Sequence, residues 1–285
     1  MTETRVSTLS VTAASAGWWK VLFENPPINM YDPGVLRDFQ DLVAKIETDP
    51  NLKVVTFETA NPSFFMAHID LTQVGGAAAT DDPASSTAPG PTGLPPWPDV
   101  LVRLEQAPVL TVGVLRGRAR GVGSEFLLAL DVRFASQELG ILSQPEIGFG
   151  FFPGGGGMER LPLAVGRARA LEIIAGGEDF DADTAERYGW VNRSVADADL
   201  DAFVSRFAER VAAFDKPALA ATKELLNKRV RMAEPADLEA TQAKFFQVSA
   251  GPLVAGHGQR LFELGGQTDG DMERNLGDRL LEMQG

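Results

Sequence analysis

The chain has no cysteine and only two histidines, His68 and His257. Without thiols there is no disulfide framework, no thiolate nucleophile and no cysteine-ligated zinc. Two imidazoles do not build a multi-histidine metal site, so no metal is expected. Cations are scarce: 26 Lys and Arg stand against 39 Asp and Glu, a net charge of -13 over 285 residues. Nucleic acid as a partner is therefore not expected, because neutralising phosphates needs clustered Lys and Arg. No apolar run approaches the ~18 residues of a membrane span. Met1 to Val11 lacks the basic-then-apolar pattern of a signal peptide. The expectation is a cytoplasmic protein with no membrane partner.

What remains is the composition of a folded globular protein, 44% hydrophobic and 23% charged. Trp18 to Phe23 reads as a strand that stops at the turn signal Asn25-Pro26-Pro27. Val35, Leu36, Phe39, Leu42, Val43 and Ile46 fall on one face of a helix that ends before Asp49-Pro50. Val54 to Glu58, Val109 to Leu115 and Val132 to Ala135 are further strands, the second of them buried on both faces. Strands alternating with helices predict an α/β fold. Thr72 to Pro98 breaks that rhythm. From Gly75 onward it holds six prolines, four glycines and no Lys or Arg, and reads as a mobile loop, a lid or a plain insertion. After about Lys216 the chain turns helical, with amphipathic patterns over Ala218 to Lys228, Pro235 to Val248 and Met272 to Met283. The predicted division is a core over 1–215, carrying the 72–98 insertion, and a helical region over 216–285.

Chemistry concentrates in four stretches: Phe64 to Leu71, Arg116 to Phe126, Gln144 to Gly148 and Phe152 to Leu161. In the second, small residues precede a helix whose first N–H groups are unsatisfied, a place suited to an oxyanion. Glu125 lies in the first turn, where the helix dipole favours a carboxylate; it is either a site residue or a simple cap. Glu146 follows a proline amid apolar sequence. It is either a partly buried acid–base group or the partner of a nearby arginine. The four glycines at 154–157 are not followed by Gly-Lys-Ser/Thr, so a P-loop is excluded. Gly121-Val122-Gly123 is not a full dinucleotide fingerprint. Ser124 is not in a hydrolase elbow.

Taken together and in order, the four stretches resemble the crotonase, or enoyl-CoA hydratase/isomerase, superfamily from about Trp18 to Lys228. Phe65 to Leu71 is similar to Phe-x-Ala-Gly-Ala-Asp-Leu, and Ala119 to Phe126 to Ala-Leu-Gly-Gly-Gly-Cys-Glu-Leu. Gln144 to Glu146 matches Gln-Pro-Glu, and Phe152 to Leu161 is similar to Ile-Pro-Gly-Ala-Gly-Gly-Thr-Gln-Arg-Leu. The resemblance implies a crotonase-like ββα spiral core with a helical C-terminal trimerisation region, assembled as a homotrimer or a hexamer of two trimers. It implies an acyl-CoA thioester substrate, with coenzyme A entering only as part of that substrate and no separate cofactor. The thioester enolate would be held by the backbone N–H groups of Ile69 and Val122. Glu125 and Glu146 would hold a water between them. Ala67, Asp70, Gly121, Pro145, Phe152, Gly154 and Gly155 would line the substrate. The activity implied is that of an enoyl-CoA hydratase, a hydro-lyase of fatty acid metabolism.

Departures from the family pattern define the alternatives. His68 and Ile69 replace the usual Gly-Ala pair, and Val122 replaces a glycine. His68 is a candidate catalytic base, a substrate-binding group or a packing residue. In the C-terminal region Leu261 to Gly266 keeps a phenylalanine but lacks the basic residue that in relatives meets the CoA adenine and 3′-phosphate; Arg260, Arg274 or Arg118 are the available substitutes. These features keep open an enoyl-CoA isomerase and a CoA-independent hydrolase cleaving a C–C bond of a β-diketone. A non-catalytic scaffold is the third reading.

Overall fold

The computed structural model describes residues 7–73, 88–230 and 232–284. A hairpin of β1 (Leu9–Ser15) and β2 (Trp18–Phe23) leads into α1 (Pro33–Thr48). Asp32 caps that helix by accepting from Val35 N at 2.8 Å, and Pro33 occupies the first helical position, where its missing N–H costs nothing. The buried face of α1 is the six-residue stripe its spacing predicts. Then come β3 (Val54–Thr59), β4 (Phe64–Met66), α2 (Pro96–Gln106), β5 (Leu110–Leu115), β6 (Arg118–Arg120), α3 (Val122–Ala129), β7 (Val132–Ser136) and β8 (Ile141–Ser143). After a 3-10 turn over Pro145–Phe149 come α4 (Gly157–Val165), α5 (Arg167–Gly176), β9 (Phe180–Asp181), α6 (Ala182–Tyr188), β10 (Arg193–Val195) and α7 (Asp197–Ala212).

Two sheets result, ordered β1-β2-β3-β5-β7-β10 and β4-β6-β8-β9. Three times the chain runs a strand of the first sheet, crosses into the second, and leaves it toward a helical segment: β3–β4, β5–β6 and β7–β8. This is a ββα spiral. The crossing from β5 to β6 takes two residues, Arg116 and Gly117. Gly117 has φ +69, and a Cβ there would fall 2.4 Å from the Ser63 carbonyl carbon, so only glycine turns this corner. The main core lies between the sheets, α1, α2 and α3. A second core forms where Trp18, Val54, Val112, Val114 and Phe134 meet Leu200, Val204, Ala208 and Val211 of α7. β5 thus feeds apolar side chains to both cores, as its continuous apolar run predicts.

The C-terminal region holds α8 (Lys216–Arg229), α9 (Pro235–Ser249), α10 (Pro252–Glu263), α11 (Asp271–Arg274) and α12 (Leu276–Arg279). The first three are anchored thinly: each buries one residue, Lys223, Leu238 and Leu261 respectively. Three sequence expectations change here. Met272 to Met283 is not one helix but α11, α12 and a 3-10 turn over Leu280–Met283. Gly277 packs so closely that a Cβ would stand 2.6 Å from Asp179 N. Most of the 72–98 insertion, residues 74–87, lies outside the described residues. Its far end is not a loop: Pro96, Trp97 and Pro98 form the first turn of α2, and Trp97 is buried. β1 is an addition to the strands predicted: Leu9 to Ala13 alternates apolar and polar residues, but only Leu9 is buried. Among the described residues no helix is long and apolar enough to cross a membrane.

Candidate active site

β4, β6 and β8 are neighbouring parallel strands, with Phe64 opposite Arg118 and Arg120 opposite Ser143. The segments after them, 67–70, 121–125 and 144–146, therefore emerge at one end of the sheet. Their approach is close. A Cβ on Gly123 would lie 2.3 Å from Met66 O, and one on Gly121 would lie 2.9 Å from Glu146 Oε1. Gly121, at φ +50, also turns the chain into α3.

Glu125 sits in the first turn of α3, only 3% exposed. Its Oε1 accepts from Gly155 N at 2.8 Å and Gly157 N at 2.9 Å. This explains the glycine run: a Cβ on Gly155 would stand 2.5 Å from Glu125 Oε2, and one on Gly157 would stand 3.1 Å from Oε1. Arg160 braces the loop from behind. It pairs with Glu105 through two bonds of 2.6 and 2.8 Å and donates to Gly155 O. Burial pushes the Glu125 carboxyl above its ordinary value, and the two glycine N–H groups and the Arg160 charge pull against that rise.

Glu146 lies in the 3-10 turn after β8, 8% exposed. Burial first, and then the charge of Glu125, push it well above the carboxylate range. The charge of one of these buried carboxyl groups opposes ionisation of the other. The two glycine N–H donors favour the ionised form of Glu125, so the upward push is the larger at Glu146. Gln144 adapts to either state. One end of its amide stands 3.0 and 3.1 Å from the Glu146 oxygens and the other 3.2 Å from Ser124 Oγ. With the nitrogen toward Glu146 it donates to a carboxylate; with the oxygen there it accepts from a neutral carboxyl.

The segment 67–70 is fixed along Tyr31: Tyr31 N donates to His68 O at 2.9 Å and Asp70 N to Tyr31 O at 2.8 Å. Residue 69 faces the opposite way. Neither Ile69 N nor Val122 N, at the start of α3, donates to a backbone or side-chain acceptor among the described residues. Ala67 is buried. The Asp70 carboxylate is turned to its own loop, accepting from Thr72 N and Oγ1. Pro145 is buried beside Gly177. Phe152 and Gly154 meet Phe245 of α9, whose ring would stand 2.6 Å from a Cβ at Gly154.

His68 is not placed as a free base. Its Nδ1 lies 2.8 Å from Ile69 O and its Nε2 3.0 Å from Glu273 Oε1, so both ring nitrogens are engaged by acceptors. Burial alone would pull the imidazole down. The Glu273 charge and hydrogen bond and the Ile69 carbonyl outweigh it and raise His68 above its ordinary value, with Arg120 opposing. Burial would likewise push Glu273 up, but His68, Gln267 N and Arg120 hold it below the usual range. Of the three arginines considered for a CoA phosphate, Arg260 faces Glu263, Arg274 faces Asp269, and Arg118 donates to Arg274 O. Sequence reasoning missed Trp97, Phe245 and Gly157. Trp97 Cδ1 would lie 3.3 Å from a Cβ at Gly155, its ring centroid lies 4.6 Å from that of Tyr31 with the planes tilted by 52°, and its buried N–H has no partner among the described residues.

The family model for enoyl-CoA hydratase/isomerase matches residues 13–251. A "Probable enoyl-CoA hydratase" of Rhizobium meliloti (strain 1021) is 39% identical over 121 residues, covering 42% of this chain and 47% of that protein. The chain thus matches less than half of that relative's length. A "Probable enoyl-CoA hydratase" of Bacillus subtilis (strain 168) is 28% identical over 191 residues, 65% of this chain and 70% of the relative. The crystal structure of a "putative enoyl-CoA hydratase" from Streptomyces avermitilis superposes with TM-score 0.88 at 41% identity, covering 96% of each chain. An enoyl-CoA hydratase/isomerase structure from Pseudoalteromonas atlantica T6c shares the fold at TM-score 0.75 and 22% identity, over 90% of this chain and 97% of that one.

The His68–Glu273 pair gives stability a defined pH signature. The raised imidazole contributes fully below its unfolded value of about 6.5, and that contribution is lost as pH rises through the folded value. The lowered carboxyl contributes above its unfolded value of about 4.3 and is lost as pH falls through the folded one. The stability gap between wild type and a His68→Gln, Glu273→Gln double variant, measured by urea unfolding, is expected to be widest between those two values. It should narrow as pH climbs past His68; a gap that grows steadily into alkaline pH would contradict the assignment.

Proposed function

The chain belongs to the enoyl-CoA hydratase/isomerase family, and on that premise we propose that it adds water across the 2,3 double bond of a 2-enoyl-CoA thioester. The observation that carries this reading is the buried pair Glu125 and Glu146, with the N–H groups of Gly155 and Gly157 bonded to Glu125. In the proposed reaction Glu125 takes a proton from a water held between the carboxyl groups. The water oxygen bonds to C3, and the π electrons move through C2 onto the thioester oxygen. Ile69 N–H and Val122 N–H, which are otherwise uncommitted, receive that enolate oxygen. Glu146 then gives its proton to C2, and transfer from Glu125 to Glu146 restores the starting state.

The competing C–C hydrolase is motivated by His68 and by the missing C-terminal basic residues, and both ring nitrogens of His68 are engaged. That favours the glutamates as the proton-transfer groups. Double-bond isomerisation uses the same carboxyl groups; the retention of two rather than one favours hydration.

Assembly into a trimer or a pair of trimers belongs to the same reading. Helices of 14, 15 and 12 residues with one buried residue each are marginal in water. Leu225, Leu226, Val230, Phe246 and Leu253 on or beside them are all more than half exposed. A further subunit would cover such faces. Sedimentation is expected to show an oligomer; a lone 30.6 kDa species would contradict it.

Mixing the protein with short- and medium-chain 2-enoyl-CoA should bleach the absorbance of the conjugated thioester. Glu125→Gln and Glu146→Gln should each slow this by ~100-fold or more while the protein still folds, as for loss of an acid–base group. Near-normal turnover in either variant would remove that glutamate from the mechanism.

A further inference from the structure

The two segments that present Ile69 N–H and Val122 N–H are joined from outside by a third, residues 267–274 near the C-terminus. On the first side, His68 Nε2 meets Glu273 Oε1 at 3.0 Å, and Gln267 Nε2 donates to Ile69 O at 3.2 Å. Gln267 N closes the corner by donating to Glu273 Oε1 at 2.7 Å. On the second side stands Arg120, two residues before Val122 and fully buried. Its guanidinium donates to the backbone carbonyls of Glu273 and Arg274 and pairs with Asp179. Arg118 adds a bond to Arg274 O at 2.7 Å. Glu273, 0% exposed, thus faces one segment with its side chain and the other with its backbone.

We infer that Glu273 is a positioning residue that, through His68 on one side and Arg120 on the other, fixes the separation of the Ile69 and Val122 N–H donors. The inference rests on the hydratase reading for its catalytic meaning. Its physical basis is independent of that reading. A buried ion pair is often no more stabilising than apolar side chains of the same volume, so stability alone is a weak reason for one here. What charge-assisted bonds do supply is a fixed geometry. Donors aimed at a developing oxyanion act only when their placement is set before the reaction, and a displacement of ~1 Å costs heavily. The segment also covers the site wall. Met272, Leu276 and Leu280 pack on Phe149, with Leu71 and Phe151 against the same cluster. The contacts that set the donors therefore come from residues about 150 to 200 positions away in sequence.

Two variants test this. Glu273→Gln keeps the shape and an acceptor but removes the charge. Gln267→Asn keeps the left-handed backbone (φ 59) tolerable but is too short for the bond to Ile69 O. Each is compared with wild type in two ways: kcat and KM for a 2-enoyl-CoA, and hydrogen exchange at the amides of Asp70 and Gly121, which are bonded to Tyr31 O and Ser143 O in the two segments. The expected result for Glu273→Gln is kcat lower by at least ~10-fold with KM changed less than ~3-fold, and faster exchange at both amides. Gln267→Asn should move the same quantities in the same direction by less. Unchanged exchange at both amides in Glu273→Gln overturns the inference, as does a fall in melting temperature with kcat unaltered. If the wild type hydrates no enoyl-CoA, the hydratase reading fails, and the exchange arm still decides whether Glu273 holds the two segments.

Discussion

A carboxylate buried against two backbone N–H groups organises this molecule's centre. Glu125 lies almost wholly out of water, and the bonds from Gly155 and Gly157 favour its ionised form against the cost of burial. Much else depends on that constraint. The loop that delivers the N–H groups has to come within van der Waals reach of the carboxylate, so side chains are excluded at 155 and 157. The loop itself needs bracing, and the buried Arg160–Glu105 pair provides it while adding a positive charge near Glu125. Glu146, which lacks the two glycine donors, is pushed well above the carboxylate range by burial and by the charge of Glu125, against the weaker pull of its own N–H.

The spiral topology makes this convergence cheap in chain length. Each passage from the first sheet to the second ends on a strand of three residues, and the segment leaving that strand reaches the same end of the sheet as its predecessors. Residues 67–70, the start of α3 and the Gln144–Glu146 turn are therefore adjacent although they are far apart in sequence. Rigidity comes from the core beneath. Phe126 of α3 packs against Phe39, Phe57, Phe65 and Trp97, tying the helix that carries Glu125 to α1, α2 and both sheets. Carboxyl groups held this way need little reorganisation when charge near them changes.

The parts of this design that are local in sequence were legible there. The α1 stripe from Val35 to Ile46 is a matter of helical period, and the strands at 18–23 and 54–59 of composition and turn signals. Three of the four chemical stretches stand out because glycine, proline or glutamate occurs where a packed core would not place it, and the first, Phe64 to Leu71, because His68 and Asp70 interrupt an apolar run. What was not legible depends on contacts between distant residues. His68 drew attention as an odd residue in its motif, yet its role turns on Glu273, which lies 205 residues away. Phe245 falls on a helix whose period says nothing about Gly154. Trp97 hides at the end of a proline-rich stretch that reads as loop. The break of the last helix falls at Asn275, and just beyond it Gly277 passes so close to Asp179 that a side chain would have no room.

The claim on which the account turns is that Glu125 and Glu146 rest in opposite protonation states. Titration of the protein with carbon-13 in its glutamate carboxyl groups, monitored by NMR and assigned with Glu125→Gln and Glu146→Gln, measures this directly. The account predicts one carboxyl that keeps its proton at neutral pH and disappears from the spectrum in Glu146→Gln, next to an ionised one that disappears in Glu125→Gln. Two glutamates that both ionise near the ordinary value of about 4.3 would contradict it.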